Sequence, residues 1–317
     1  MKLIELKEVG KKFGKNTILE DVTLSIEEGD IIGVIGKSGS GKTTLLNLLT
    51  GFMRPTSGKI LQSFNATQGP VNLHKNLHKI KDMIGFAPQH NSFYPKLTVA
   101  ENLLHFGQLY GVKRETVVNN IKSLLQATEL QAHHNKLAQH LSGGMQKRLD
   151  ISCSLVHKPK LLVLDEPTDD LDPILQREIM SFLKEVNKQG VTLVIASHNL
   201  PLLEKVCNKI FIVHDARVRD CGLIAEIRKP FLKEHFTINL NVSDKRDKIM
   251  SYLKTLPFTK IVDKGHHIVI YPQNPAQTIN SLLKVIEEED LYDMDIRRPS
   301  LGDIFEQITE QVTLEQK

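Results

Sequence analysis

At 317 residues, 40% of them apolar, the chain is long enough for two domains and too apolar for wholesale disorder. Its 41 basic and 37 acidic residues leave a net charge of +4, too balanced to argue for a nucleic-acid partner. The three cysteines form no C-x-x-C pair, which argues against a disulfide framework or a zinc site, and no apolar run has the length of a signal peptide or of the ~20-residue stretch that spans a bilayer.

Residues 2–9 (KLIELKEV) alternate apolar and polar, predicting a half-buried strand, with KKFGKN as a turn and VTLSI as a second strand. Phe13 falls in that turn, either as a packed loop aromatic or as a ring on which a base stacks. The β-branched run Ile31, Ile32, Val34 and Ile35 predicts a strand buried on both faces. It leads into Gly36-Lys37-Ser38-Gly39-Ser40-Gly41-Lys42-Thr43, which fits the phosphate-loop pattern G-x-x-x-x-G-K-[ST]. Leu45, Leu46, Leu48 and Leu49 follow at helical spacing. A phosphate in such a loop is met by backbone N–H groups, and a Cβ at Gly36, Gly39 or Gly41 is expected to obstruct it. The helix start adds unpaired donors and the positive end of its dipole. Lys42 then suits the β- and γ-phosphates, and the Thr43 hydroxyl suits Mg²⁺.

PTSG at 55–58 predicts a turn, and residues 59–81 are polar and irregular. His74 and His78 could share a helix face, but too few further ligands accompany them for a metal site, and the adjacent pairs His133-His134 and His266-His267 converge poorly on one ion. Residues 82–89 (DMIGFAPQ) predict a short strand, and 98–140 a helical insertion. Leu141 to Arg148 (LSGGMQKR) opens another helix, where a serine and two glycines make a second donor-rich anion site. KLLVLDEPT at 160–168 predicts a buried strand that delivers Asp165 to its carboxyl end, where a magnesium ligand is wanted. Glu166 is then placed to orient or deprotonate a water. Residues 191–198 (VTLVIASH) predict another buried strand with His198 at the same sheet edge, a donor for a γ-phosphate. Residues 211–222 predict a hairpin-like pair.

Taken together, residues 1–228 resemble the nucleotide-binding subunit of ATP-binding cassette (ABC) transporters. The resemblance implies a P-loop NTPase α/β fold: a RecA-like parallel sheet, an N-terminal antiparallel β subdomain and a helical subdomain. It makes GKSGSGKT the Walker A motif, with Thr44 a further nucleotide contact, LLVLDEPT the Walker B motif and His198 the switch histidine. Gln89 becomes the Q-loop glutamine, a sensor of Mg²⁺ and γ-phosphate, and Asp172 the D-loop aspartate. Phe13 falls where the family places a base-stacking aromatic, more often Tyr. LSGGMQKR becomes the signature, so that Ser142, Gly143, Gly144 and Gln146 would grip a nucleotide bound to a second subunit. One motif of each kind implies a head-to-tail dimer with a second copy or a paralogous ATPase, with ATP and Mg²⁺ between the subunits. The family commonly has glycine where Asp170 stands, and aspartate where Asn208 stands.

Lys229-Pro230 marks a boundary, and residues 236–317 predict a second domain. FTINLNVS, DKIMSYLKTL, FTKIVD, HHIVIYP, TINSLLKVIEEED and LYDMDIRRP read as β-α-β-β-α-β, an order that suits a small ferredoxin-like α+β fold. Pro299, a Ser300 cap and Leu301, Ile304, Phe305 and Ile308 predict a last amphipathic helix. This tail is similar to the extension of ATPases that drive ABC-2-type permeases, which implies regulation or dimerisation. The stretch 93–102 is similar to the family's face toward the membrane subunit. The expectation is an ATPase at the cytoplasmic face of a membrane, powering a separately encoded multispanning permease, with no nucleic acid. The rivals are a soluble ABC ATPase on a ribosome or DNA complex, and a nucleotide-gated regulatory module of low turnover.

Overall fold

The computed structural model describes residues 1–64, 69–75 and 80–224, then 226–227, 237–241, 250–251, 253, 258–263, 267–272, 274, 277–283, 294–297, 300 and 302. It divides into two compact units, Met1–Leu223 and Ile224–Lys317.

The first unit carries two sheets. Strands β1 (Lys2–Phe13) and β2 (Asn16–Glu27) form a long hairpin in an antiparallel sheet ordered β2-β1-β4-β5, with β4 at Ser57–Gln62 and β5 at Val71–Asn72. The expected turn at KKFGKN is present but narrower, at Gly14-Lys15: Lys11, Lys12 and Phe13 already pair with Leu19, Thr17 and Asn16. Ladder hydrogen bonds outweigh the polar composition. The irregular reading of 59–81 is corrected at its start, where Ile60 and Gln62 turn one face of β4 inward. His74 sits in a short 3₁₀ turn, Leu73–Lys75, while His78 and His266 lie outside the described residues.

The second sheet has six strands in the order β10-β9-β3-β8-β7-β6. In chain order these are β3 (Ile31–Ile35), β6 (Ile84–Ala87), β7 (Leu161–Asp165), β8 (Thr192–Ala196), β9 (Lys209–His214) and β10 (Arg217–Leu223). All neighbours are parallel except β9 and β10. Every residue of β3, β7 and β8 is buried, as continuous apolar runs require in a sheet covered on both faces. Their carboxyl ends lie at one edge and deliver the phosphate loop, the Asp165-Glu166 pair and His198 there. Helix α1 (Lys42–Leu49) buries all four of its leucines in a core shared by both sheets. Asn208 accepts a 3.0 Å bond from the N–H of Ile31 through its amide oxygen, as a carboxylate there would.

Helices α2 (Val99–Leu109), α3 (Arg114–Ala127) and α4 (Gly143–Leu155) enclose a separate core of Phe93, Val99, Leu103, Val117, Leu149 and Cys153. Thr98 and Glu101 close a capping box at the start of α2. The far part of α4 lies against β6, where a Cβ on Gly85 would stand 2.2 Å from the Ser154 carbonyl oxygen. Helices α5 (Pro173–Lys188) and α6 (Leu200–Val206) complete the unit.

The second unit holds β11 (Thr237–Asn241), β12 (Phe258–Asp263), β13 (His267–Pro272) and β14 (Met294–Arg297) in an antiparallel sheet ordered β12-β13-β11-β14. Helical residues at 250–251 and 253 precede β12, and those at 277–283 precede β14, giving the β-α-β-β-α-β order of a split βαβ fold. Leu253, Ile268, Ile270 and Leu282 are buried. The helix expected around Leu301, Ile304, Phe305 and Ile308 lies outside the described residues, as does Pro299. Among the described residues no helix is long and apolar enough to cross a membrane.

Candidate functional site

The phosphate loop leaves β3 and enters α1 at Gly41, whose φ of +107° lies in the left-handed region. No side chain caps α1 and no acid stands in its first turn, so its leading N–H groups keep their donor capacity. Beside this loop lies a cleft of about 380 Å³ whose wall includes Phe13, Ser38, Gly39, Gly41, Lys42, Thr43 and Thr44 together with Gln89, Asp165, Glu166 and His198. Five separate segments of the chain thus meet at one point. A larger cavity of about 870 Å³ lies between α3, α4 and α5 and contains none of these groups. Convergent chemistry, not size, selects the smaller one.

Within the cleft the polar groups are paired with one another. The Lys42 ammonium donates to the carbonyls of Gly36 at 3.0 Å and Lys37 at 3.4 Å. The Thr43 hydroxyl donates to Asp165 Oδ2 at 2.7 Å. This pair supplies the hard oxygen donors that Mg²⁺ prefers, and Gln89 shares the cleft, so the residues fit that ion. His198 Nδ1 is 3.0 Å from Glu166 Oε2, and the His198 N–H donates to the same oxygen at 3.3 Å. A carboxylate only accepts, so Nδ1 carries the ring proton. For Nε2 to donate to a phosphate at the same time, the imidazole must be doubly protonated. Glu166 has φ +48°, a costly conformation for a side chain of its size, and its N–H is held by the Ala196 carbonyl at 2.9 Å.

The three loop glycines do not share one reason. A Cβ on Gly36 would lie 2.5 Å from both Ser40 Oγ and the Val213 carbonyl oxygen, so close packing within the loop and against β9 also requires glycine here. Gly39 has nothing within 4 Å of an added Cβ, and its need is conformational, with φ +76°. Ser40 Oγ is buried without a hydrogen-bond partner among the described residues.

Phe13 ends β1 with its ring 48% exposed at the cleft, and Lys11 Nζ stands 4.9 Å from the ring centroid. Ser142, Gly143, Gly144, Gln146 and Asp172 do not line the cleft. Ser142 caps α4, is exposed like Gly143, and accepts from Met145 N at 3.4 Å. Gln146 donates to the carbonyls of Ala138 and Leu141, both at 3.3 Å. Asp172 caps α5, accepting from Ile174 N at 2.8 Å and Leu175 N at 3.1 Å.

Sequence reading missed Asp169, which lines the cleft and accepts from Gln89 Nε2 at 3.1 Å. That bond turns the amide nitrogen toward the carboxylate and leaves the amide oxygen as the free end. The acidic run 169–172 carried the signal without saying which acid mattered. It also missed Lys147 and Asp150, buried on α4. Burial holds the Lys147 ammonium below its ordinary pKa, against the field of Asp150, Asp169 and neighbouring acids. Burial raises the Asp150 carboxyl, against two hydrogen bonds from Ser92.

Comparison with known proteins places this architecture. The family described as ABC transporter matches residues 19–169. The chain is 27% identical over 312 residues to the linearmycin resistance ATP-binding protein LnrL of Bacillus subtilis, covering 97% of this chain and 98% of that one. It is 28% identical over 314 residues to the Nod factor export ATP-binding protein I of Bradyrhizobium diazoefficiens, with 96% of each covered. It is 30% identical over 276 residues to the methionine import ATP-binding protein MetN 2 of Enterococcus faecalis, covering 83% and 79%. Among solved structures, the dimeric post-hydrolysis state of the ATP-binding cassette MJ0796 bound to ADP and Pi aligns with a TM-score of 0.60 and 29% identity, over 69% of this chain and 98% of that one.

Proposed function

This chain belongs to the ATP-binding subunits of ABC transporters and is an ATPase of that family, and from that premise we propose that it works as one half of a head-to-tail ATP sandwich driving a separate membrane permease. One observation carries the reading: Walker-type residues line a single cleft, while Ser142 and Gly143 at the start of α4 lie outside it and exposed, with Gly144 buried behind them. The turn is a set of donors without a pocket, and the cleft is a pocket without closing donors. A second copy, or a related ATPase, supplies to each what it lacks.

In this reading Lys42 and the loop N–H groups bind the triphosphate, and the exposed face of Phe13 takes the base. Thr43, Asp165 and the amide oxygen of Gln89 hold Mg²⁺, which when bound neutralises charge developing on the phosphoryl oxygens. Glu166, strained and anchored at its N–H, accepts a proton from the attacking water. His198 orients that carboxylate in the open cleft. Closure by Ser142, Gly143 and Gly144 of the second subunit adds donors at the γ-phosphate and excludes water. The C-terminal domain read at 236–317, within the second unit, serves regulation or dimerisation.

Export is favoured by the near end-to-end match to the Nod factor export protein, although a methionine import protein is also similar. The cytoplasmic membrane face follows from attachment to a permease. The test is turnover against protein concentration, with affinity capture from detergent-solubilised membranes. Expected are turnover that rises faster than linearly and a co-purifying multispanning protein. Turnover per subunit independent of dilution, or capture of ribosomes, would overturn the reading.

A further inference from the structure

Helix α4 and the turn that follows it carry four polar side chains at spacings of 3, 4 and 3: Lys147, Asp150 and Ser154 on the helix, and His157 just past its end. That spacing makes one stripe along a helix. All four are buried, although surface helices usually turn such residues outward. Each bonds a different point on one continuous segment. His157 Nε2 meets the Ile84 carbonyl at 3.3 Å, and Ser154 Oγ donates to the Phe86 carbonyl at 2.9 Å. Lys147 Nζ donates to the Gln89 carbonyl at 3.3 Å. Asp150 Oδ1 accepts from both the N–H and the hydroxyl of Ser92 at 2.7 Å. Gly85 lets the helix come this close.

The lower two contacts fasten α4 to strand β6, which is part of the rigid sheet. The upper two reach past the strand end into the segment that holds Gln89 at the cleft. Gln89 is therefore gripped twice: Asp169 takes its side-chain amide, and Lys147 takes its backbone oxygen. Desolvated charged groups are an expensive way to build a helix contact, and a well-packed apolar pair would hold it as well. Their use here points to a role beyond packing. Asp150 Oδ2 is buried and has no hydrogen-bond partner among the described residues, so the carboxylate's hydrogen bonds among them are the two that Oδ1 accepts from Ser92.

We propose that Lys147 and Asp150 are positioning residues that tie the Gln89–Ser92 backbone to the head of α4, so that nucleotide entering this chain's cleft alters the Ser142–Gly144 turn at the same time. The inference rests on the reading of that turn as the closing face for a second subunit's nucleotide. One rigid helix then links the chain's own ATP to the neighbouring one, with the Gln89 segment as input and the serine-glycine turn as output.

The test uses the full chain carrying Glu166→Gln, so that ATP is retained, at a concentration below dimer formation. Hydrogen exchange is followed in residues 88–92 and 142–149 with and without Mg-ATP. In the parent both segments are expected to change together. Lys147→Met and Asp150→Leu should keep the change at 88–92 and lose at least half of that at 142–149. Asp150→Asn retains an accepting oxygen and should restore it. In the background with Glu166 intact, the cutting variants should lower kcat about tenfold with the KM for ATP within about twofold, the worth of one hydrogen bond to a charged group. Should Asp150→Leu fail to fold, Ser92→Ala removes one of the two bonds and should give a smaller loss in the same segment. An unchanged response at 142–149 in every variant, or none in the parent, overturns the proposal. Intact coupling with turnover linear in protein concentration would sink the dimer reading instead.

Discussion

Two helices of this chain begin at glycine with no acid in the first turn: α1 after Gly41, and α4 at Gly143. Both expose backbone donors suited to an anion. Their surroundings are opposite. The first opens on a cleft with Asp165, Glu166, Gln89 and His198 on its walls. The second caps itself through Ser142 and has open space around Gly143. A helix start alone does not make a catalytic site. Strand ends that converge beside it do, and β3, β6, β7 and β8 provide them. The second start is therefore useful only against something brought to it.

The largest expected effect falls on the α1 side. Glu166→Gln should lower turnover by roughly 10²–10⁴-fold, the usual worth of a general base, while ATP binding persists. Steady-state hydrolysis and equilibrium binding check both halves, and parent-level hydrolysis would remove Glu166 from the mechanism. Next comes the α4 side. An added side chain at Gly143 meets nothing, so Gly143→Asp should fold normally. Its charge opposes a phosphate, and turnover should fall by about 10²-fold, as when an oxyanion donor is lost. Binding of ATP by the dilute chain should be untouched. Mixing the two variants sharpens the comparison most. A mixed dimer pairs the sound cleft of one chain with the sound turn of the other, so activity should reappear. If each chain owned a complete site, no mixture would recover.

Much of this contrast was legible in the sequence, for a physical reason. Parallel strands buried on both faces must be apolar throughout, so IIGVI, LLVLD and TLVIA announce themselves, and functional residues sit at their ends. The two anion sites were legible because each puts two or more glycines beside a serine at a helix start, where backbone donors are unpaired. The Lys147-to-His157 stripe was not read, although its spacing was visible. Polar residues at helical spacing usually face water, and only the approach at Gly85 shows that this row faces a strand. Polar 57–62 was unreadable as β4 for the converse reason: a strand buried on one face needs few apolar residues. The conflict between Glu166 and the His198 proton also required coordinates, because it depends on which ring nitrogen points inward.

A third expectation asks which side loosens first in acid. His157 is buried and stacked on Tyr110, with ring centroids 3.6 Å apart, and burial lowers its pKa from 6.5 to about 4. Between these values the unfolded chain binds the extra proton and the folded chain does not. Stability from this group is complete above pH 6.5 and is lost as pH falls toward 4. From pH 6.5 to 5 the loss amounts to about 2 kcal/mol. Urea unfolding of the parent and of His157→Phe should show it: the variant keeps the stacked ring, and its stability should fall by about 2 kcal/mol less over that interval. Hydrogen exchange at pH 5 should rise in α4 before it rises in α1. Parallel slopes for the two proteins would mean that His157 is protonated in the folded state.

The smallest effect concerns the turn between β7 and α5. Asp170 stands where the family commonly has glycine, and its φ of +59° shows why glycine suits the position. Aspartate tolerates the left-handed region better than most residues, so the strain in Asp170 is modest. Asp170→Gly relieves that strain but frees the unfolded chain, at a cost of about 0.4–1 kcal/mol. The two terms oppose each other, and the melting midpoint should move little. The charge is the more telling part. Asp170 is exposed and belongs to the acidic surroundings of Lys147. In water a single carboxylate acts on a triphosphate with about 1 kcal/mol at contact distance and less beyond it. The variant should therefore bind ATP up to about threefold more tightly at low salt, and the gain should vanish near 1 M salt, where the Debye length is about 3 Å. Titrations with a fluorescent ATP analogue at both ionic strengths decide it. A gain that survives high salt would place Asp170 in direct contact with the nucleotide, beside Asp169 on the cleft wall instead of outside it.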